Sequence, residues 1–263
     1  MDRLIRASLA DLMGGGTDMA ERAWSQATLS VKNGGLGLRS GRDHAEAAFI
    51  AGCNLCAPLD GWQDELENDT AFVNARDAFL SAYGGTHALG AQKALSARVE
   101  KAVFDKLFKD ASKYEKARLN SVAGKDAGLC WNAVPSVIFR LDIPSALFRT
   151  LVKWWLGLPV LRGGQKCPEC GDDSDDLGYH CMTCRYGGRL GVRHNAVCTV
   201  IFFAARAAHM DPLWDAQILP GGENLAHRRS DVRIKNLGIV KDLDVAVTHP
   251  LRPDFLKKTA DGS

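Results

Sequence analysis

Four metal-capable side chains fall within one short stretch, Cys167-x2-Cys170-x9-His180-x3-Cys184, and no other feature constrains the fold as tightly. Two close pairs of soft or borderline ligands, joined by a short acidic loop, supply the four N/S donors that Zn²⁺ takes in a tetrahedron, and they do so without a large core. Gly171 and Gly178 permit the tight backbone turns that a metal knuckle needs. Cys181 can stand in for His180, giving Cys-x2-Cys…Cys-x2-Cys, a set equally suited to zinc. The spacing predicts structural zinc and leaves the remaining ligand open between His180 and Cys181.

The chain has 263 residues, 46% hydrophobic and 24% charged, which is a globular balance spread over one large or two to three small domains. Its net charge of +2 is not that of a basic protein. From Arg185 to Lys235, however, eight Lys/Arg face four Asp/Glu, so this segment alone is more positive than the whole chain. A basic field beside a zinc knuckle favours a polyanionic partner. Of the eight cysteines, Cys53 and Cys56 lie in an Ala-rich apolar segment with no second pair nearby and read as buried thiols on a helix. Metal-type cysteine spacing with no secretory signal predicts a reducing compartment. No run reaches the roughly 18 apolar residues that a bilayer span requires.

Hydrophobic periodicity predicts helices over Met1–Leu12, His44–Cys56, Ala91–Phe108, Phe148–Leu158 and Arg193–His209. In the third of these Leu95, Val99, Val103 and Leu107 recur every four residues, a packing stripe. Ala27–Val31 reads as a short strand before a Gly-rich turn, and that turn lacks the Gly-Lys-Ser/Thr ending of a phosphate loop. Leu219–Glu223 reads as a turn, and strands are predicted over Asp231–Lys235 and Ile239–Thr248.

Strand alternation then assigns faces. Val232, Ile234, Leu243, Val245 and Val247 point inward, which leaves Asp231, Arg233, Asp242 and Asp244 on the other side. If the two strands pair, Asp231 and Asp244 approach each other. Converging carboxylates bind a hard divalent cation, which can activate water and stabilise charge on a scissile phosphate. Neighbouring arginines would hold the nucleic-acid backbone. The same pattern also describes a solvated polar hairpin.

The blocks Cys167-Pro168-Glu169-Cys170-Gly171, Asp176–His180, Gly187-Gly188, Arg193-His194-Asn195, Leu219–Glu223, Arg229-Ser230-Asp231 and Leu243–Pro250 together resemble the C-terminal part of a non-LTR retrotransposon polyprotein of the restriction-like-endonuclease type. The amino-terminal part, with Gln26–Leu29 and Gly34–Ser40, is similar to the thumb that follows such an element's reverse-transcriptase palm. Arg118–Ser121, Trp131–Ala133 and Gly157–Pro159 fit its connector.

The resemblance implies an α+β chain in four parts: a thumb-like remnant over 1–60, a helical connector over 61–162, a CCHC zinc knuckle over 163–190 and a truncated PD-(D/E)XK nuclease core over 191–263. It selects His180 as the zinc ligand beside Cys167, Cys170 and Cys184. It implies Asp231 and Asp244 as catalytic Mg²⁺ ligands, with Asp242 and Glu223 as reserve acids and Lys257 stabilising the phosphate. Arg193, His194, Asn195, Arg228 and Arg229 are implied to contact nucleic acid. The implied activity is nicking of target DNA for target-primed reverse transcription in the nucleus. DNA, element RNA and the rest of the polyprotein are the implied partners, and no membrane is involved. The alternative is an inactive zinc-dependent nucleic-acid-binding remnant.

Three departures from the family pattern stand in the sequence. No aromatic-x-Asp-Asp polymerase motif is present, Ser230 replaces the usual Pro or Ala before the first acid, and Ala246 occupies the simple motif's lysine position.

Overall fold

The computed structural model describes residues 1–14, 19–59, 62–85, 91–136, 142–217, 229–236 and 238–261. In chain order its elements are α1 (Asp2–Leu12), α2 (Glu21–Thr28), α3 (Gly41–Cys56), α4 (Trp62–Asn68), α5 (Thr70–Tyr83), α6 (Gln92–Lys109), α7 (Lys113–Val122), α8 (Ser145–Trp155), α9 (Tyr179–Thr183), α10 (Arg189–Ala207), β1 (Asp211–Gln217), β2 (Arg229–Asn236), β3 (Ile239–Leu243) and α11 (Pro253–Asp261). The class is α+β, with one small antiparallel sheet ordered β1-β2-β3. No helix among the described residues is long and apolar enough to cross a membrane.

The chain divides into two compact units, Met1–Val160 with the C-terminal helix, and Leu161–Arg252. In the helical unit, the stripe foreseen on α6 packs as expected: Leu95 and Val99 are buried against Ile50 of α3 and Phe79 of α5. A second cluster gathers Trp24, Ala27, Val152 and Trp155, with Trp131 set edge-on to Trp155 at 5.5 Å. Cys53 and Cys56 lie on α3 as predicted, but both are half-buried rather than enclosed.

Ala27–Val31 is not a strand. Residues through Thr28 complete α2, and Val31–Asn33 form a short 3₁₀ turn. The apolar residues that suggested alternation are buried instead at the end of α2 and in its cap, with Ala27 and Leu29 almost wholly enclosed. Tertiary burial here outweighs β propensity.

A buried polar network ties this unit together. Arg118 donates to the Trp155 carbonyl at 2.6 Å and to Gln26 Oε1 at 2.9 Å. Gln26 Nε2 in turn donates to the carbonyls of Gly34 and Trp155. α7 starts with a capping box, Ser112 with Glu115, so its first N–H groups are satisfied locally. Asn120 on the same helix donates to the Thr259 and Ala260 carbonyls, which closes two of the orphan acceptors at the end of α11. That contact assigns residues 253–261, predicted as part of the nuclease core, to the helical unit.

The second unit carries the knuckle, α10 and the sheet. β1 was not anticipated; it pairs with β2 in the register Trp214↔Val232, and the Trp214 ring stacks on Phe202 of α10 at 4.8 Å. The strand predicted over Ile239–Thr248 stops at Leu243. Beyond it the Val245 N–H donates to the Asp231 carboxylate at 2.6 Å rather than to a main-chain carbonyl, so the ladder ends where a side chain intercepts it.

Replacing Arg118 with Met strips Gln26 Oε1 and the Trp155 carbonyl of a charged donor inside the core. The expected loss is about 3 kcal/mol of unfolding free energy, read as a lower urea midpoint at unchanged m value. A midpoint within error of the parent would show that the network contributes nothing.

Candidate metal centre and acidic site

The knuckle is built by its turns. Lys166 and Asp173 form an isolated antiparallel bridge, while the Cys167 N–H donates to the Asp172 carbonyl at 2.8 Å and Gly171 N–H to the Cys167 carbonyl at 2.9 Å. Gly171 and Gly178 stand at φ 78° and 77°, the left-handed turns expected of them. The Asp175 carboxylate accepts the N–H groups of Tyr179 at 2.8 Å and His180 at 2.6 Å, which fixes the start of α9 and with it the placing of His180.

This folding brings Cys167, Cys170, His180 and Cys184 together, their ligand atoms all within 4.8 Å of one another. Cys181, the alternative fourth ligand by spacing alone, is exposed outside the cluster. Cys167 Sγ and Cys184 Sγ lie 3.8 Å apart. Zn–S bonds of about 2.3 Å at tetrahedral angles put two sulfurs about 3.8 Å apart, so the pair already has the edge of a zinc tetrahedron. Cys170 Sγ and His180 Nε2 lie closer, at 3.2 Å.

The electrostatics favour a cation. Backbone N–H groups, of Cys170 first and then Glu169, pull the Cys167 thiol down to about 6. For Cys170 the Asp172 N–H also acts downward, but burial and the adjoining Cys167 sulfur outweigh it and push the thiol up to about 12. One thiolate suppresses its neighbour, and a divalent ion relieves that repulsion. The cluster can therefore hold a zinc ion.

The knuckle is locked to α10. Glu169 accepts from Arg189 at 2.8 Å, and its carboxylate lies over Gly187, where an added Cβ would come within 2.3 Å of Oε2. Arg193 donates to the Met182 carbonyl at 2.9 Å. His249 is buried against Tyr179, their ring centroids 5.9 Å apart, and burial first, then Arg193, holds its pKa below the ordinary value.

The acidic site rests on strand register. β2 and β3 pair as Val232↔Leu243 and Arg233↔Asp242. Continued one residue past its last pair, this register brings Asp244 alongside Asp231. Asp242 is committed elsewhere, in a two-point ion pair with Arg233 at 2.7 and 3.0 Å.

His194 on α10 reaches the same point. Its Nε2 lies 3.2 Å from Asp231 Oδ2 and its Nδ1 3.2 Å from Asn195 Oδ1. With an oxygen acceptor at each ring nitrogen, the doubly protonated imidazolium is the form best satisfied. The Asn195 oxygen first, opposed by partial burial and helped by Asp231, holds His194 above the ordinary 6.5. The Val245 N–H first, opposed by partial burial and helped by His194 and Asp244, holds Asp231 below the ordinary 3.8.

Other predicted site residues fall elsewhere. Arg229 is paired with Asp215 at 2.7 Å and also donates to its carbonyl, so Arg193 and Arg229 are both engaged within the protein. Lys257 is exposed on α11 in the helical unit, not in the unit that carries the two aspartates. Glu223 and Arg228 lie outside the described residues. Cys198 was missed. It is buried one helical turn after His194, 3.8 Å from Nδ1, and the His-x3-Cys spacing on one helix face was the available signal.

No protein-family model matches this chain, and no curated protein or solved structure matches it significantly.

Metal analysis checks the knuckle. The protein is expected to retain about one zinc per chain after dialysis, with Cys181→Ser unchanged and Cys184→Ser losing it. Equal loss in both variants would remove His180 from the ligand set. A second measurement follows the ion pair with the knuckle loaded with zinc and no other metal added. The stabilisation from His194 is fully present below 6.5 and fades as pH rises through its raised folded value. That from Asp231 is present above 3.8 and is lost as pH falls through its depressed value. Asp231→Asn should bring the His194 ring titration, followed by NMR, down toward 6.5; an unmoved titration would mean the two groups do not interact.

Proposed function

We propose that the Leu161–Arg252 unit is a zinc-braced, metal-dependent DNA-nicking module of the PD-(D/E)XK type, derived from a non-LTR retroelement and acting in the nucleus. The observation that carries this reading is the β2–β3 register, which continued one residue past Val232↔Leu243 brings Asp244 alongside Asp231. It supports the reading because the retroelement-like motifs imply Mg²⁺ at the same two residues. The knuckle supplies structural zinc through Cys167, Cys170, His180 and Cys184, and its bonds to α10 hold the helix that presents His194.

In this reading Asp231 and Asp244 hold Mg²⁺, which when bound supplies Lewis acidity and a water of lowered pKa. Asp231 is kept ionised and oriented by the Val245 N–H. His194 holds a proton at Nε2 toward Asp231 and is steered by Asn195 at Nδ1. Its charge places a cation beside the carboxylates, where a phosphate oxygen gathers negative charge in the transition state. Asp242 has no part in the chemistry, because Arg233 occupies both its oxygens.

A second reading, a non-cleaving nucleic-acid-binding remnant, draws support from one observation: Ala246 stands where the simple motif has its lysine. The engaged states of Arg193 and Arg229 weigh against it, since they leave fewer arginines for phosphate.

Nicking of supercoiled plasmid in Mg²⁺ separates the two. Asp231→Asn and Asp244→Asn should each lower nicking by about 100-fold or more, the scale of a lost catalytic group, with DNA retention unchanged. Asp242→Asn should stay within roughly threefold, as expected of an exposed ion pair. Equal nicking by the Asp231/Asp244 double variant would end the assignment, and binding without nicking by the parent chain would favour the remnant.

A further inference from the structure

The surroundings of Asp231 are not those of a plain magnesium site. A hard, six-coordinate ion that keeps its waters asks for oxygen ligands. Here an imidazole and a thiol converge on the same carboxylate. His194 Nε2, Cys198 Sγ and an Asp231 oxygen all lie within 4.8 Å of one another. The His194–Asp231 distance is 3.2 Å and the Cys198–His194 Nε2 distance 3.9 Å. Metal bonds of about 2.0–2.3 Å at tetrahedral angles give ligand-to-ligand edges of about 3.3–3.8 Å, and the two observed edges fall close to either end of that range.

Three independent constraints hold the set in place. His194 and Cys198 are one turn apart on α10, so a single helix face carries both. Cys198 is buried, with 1% exposure, so its sulfur is held by packing rather than by solvent. Asp231 is pinned on the central strand by the Val245 N–H. The converging set is one nitrogen, one sulfur and one carboxylate, the three protein ligands that leave a fourth position open on a tetrahedral ion.

We propose that His194, Cys198 and Asp231 form a second metal site that takes a borderline transition ion of the Zn²⁺ or Co²⁺ class in preference to Mg²⁺. Thiolate and imidazole donors select such ions, while carboxylate and water select magnesium. The inference rests on the nuclease reading to this extent, that Asp231 serves both ions. A transition ion bound through Cys198 therefore excludes magnesium from the carboxylates and silences nicking.

The test uses the full chain with its knuckle loaded with zinc, titrated with Co²⁺ and followed by absorbance and metal analysis. A second equivalent is expected, with the charge-transfer band of a cobalt–thiolate bond. Cys198→Ser should abolish that band, and His194→Asn, which alters a half-exposed side chain, should weaken the second equivalent by about 10-fold or more while circular dichroism stays unchanged. One equivalent only, a second equivalent without the band, or a band that persists in Cys198→Ser would each overturn the site. Plasmid nicking in Mg²⁺ by the same protein before any cobalt is added separates the two proposals. A second cobalt with no nicking by the parent defeats the nuclease reading alone, and nicking with no second cobalt defeats this site alone.

Discussion

The Leu161–Arg252 unit depends on the convergence of four knuckle ligands at one point. Its buried apolar side chains, among the described residues, are Cys167, Cys184, Cys198, Ala205, Val232 and Leu251. Two of those six are sulfurs of the knuckle and a third is the thiol beside His194. So small an interior cannot offset the entropy of ordering the chain by hydrophobic burial alone. Metal–ligand bonds fill that role in small domains, because binding free energy becomes folding free energy. The remaining features follow from it: Glu169 reaches Arg189 and the Met182 carbonyl receives Arg193 only once the knuckle backbone is fixed.

Asp231 is the second hub. Its carboxylate meets the chain beyond β3 through Val245 and α10 through His194. A carboxylate with these partners is oriented and ionised, which suits a ligand or a catalytic group and is more than a polar hairpin surface needs. The basic character seen in the sequence is partly neutralised in place, as Arg229 lies on Asp215 and Arg233 on Asp242. Net charge counted along a segment therefore overstates the field available to a polyanion.

Much of the helical unit was legible because its signal is periodic and local. The α6 stripe of Leu95, Val99 and Leu107, and the apolar runs of α8 and α10, fix helices whatever they pack against. Short strands carry no such signal. β1 contains a proline and two acids in seven residues and is a strand because β2 pairs with it and Phe202 covers Trp214. The reverse error at Ala27–Val31 has the same origin: five residues of mixed character obey whichever core they reach.

The sequence by itself determined the donor chemistry of the knuckle, the pairing of helices with a small sheet, and the two aspartates that share a strand face, because ligand type, 3.6-residue periodicity and two-residue alternation are properties of the chain alone. Only the tertiary structure brought His180 rather than Cys181 into the cluster by geometry, tied Asp242 to Arg233, and added Cys198 to the surroundings of Asp231. Those choices depend on strand register and on where one helix face lands, and neither is set until distant segments have packed together.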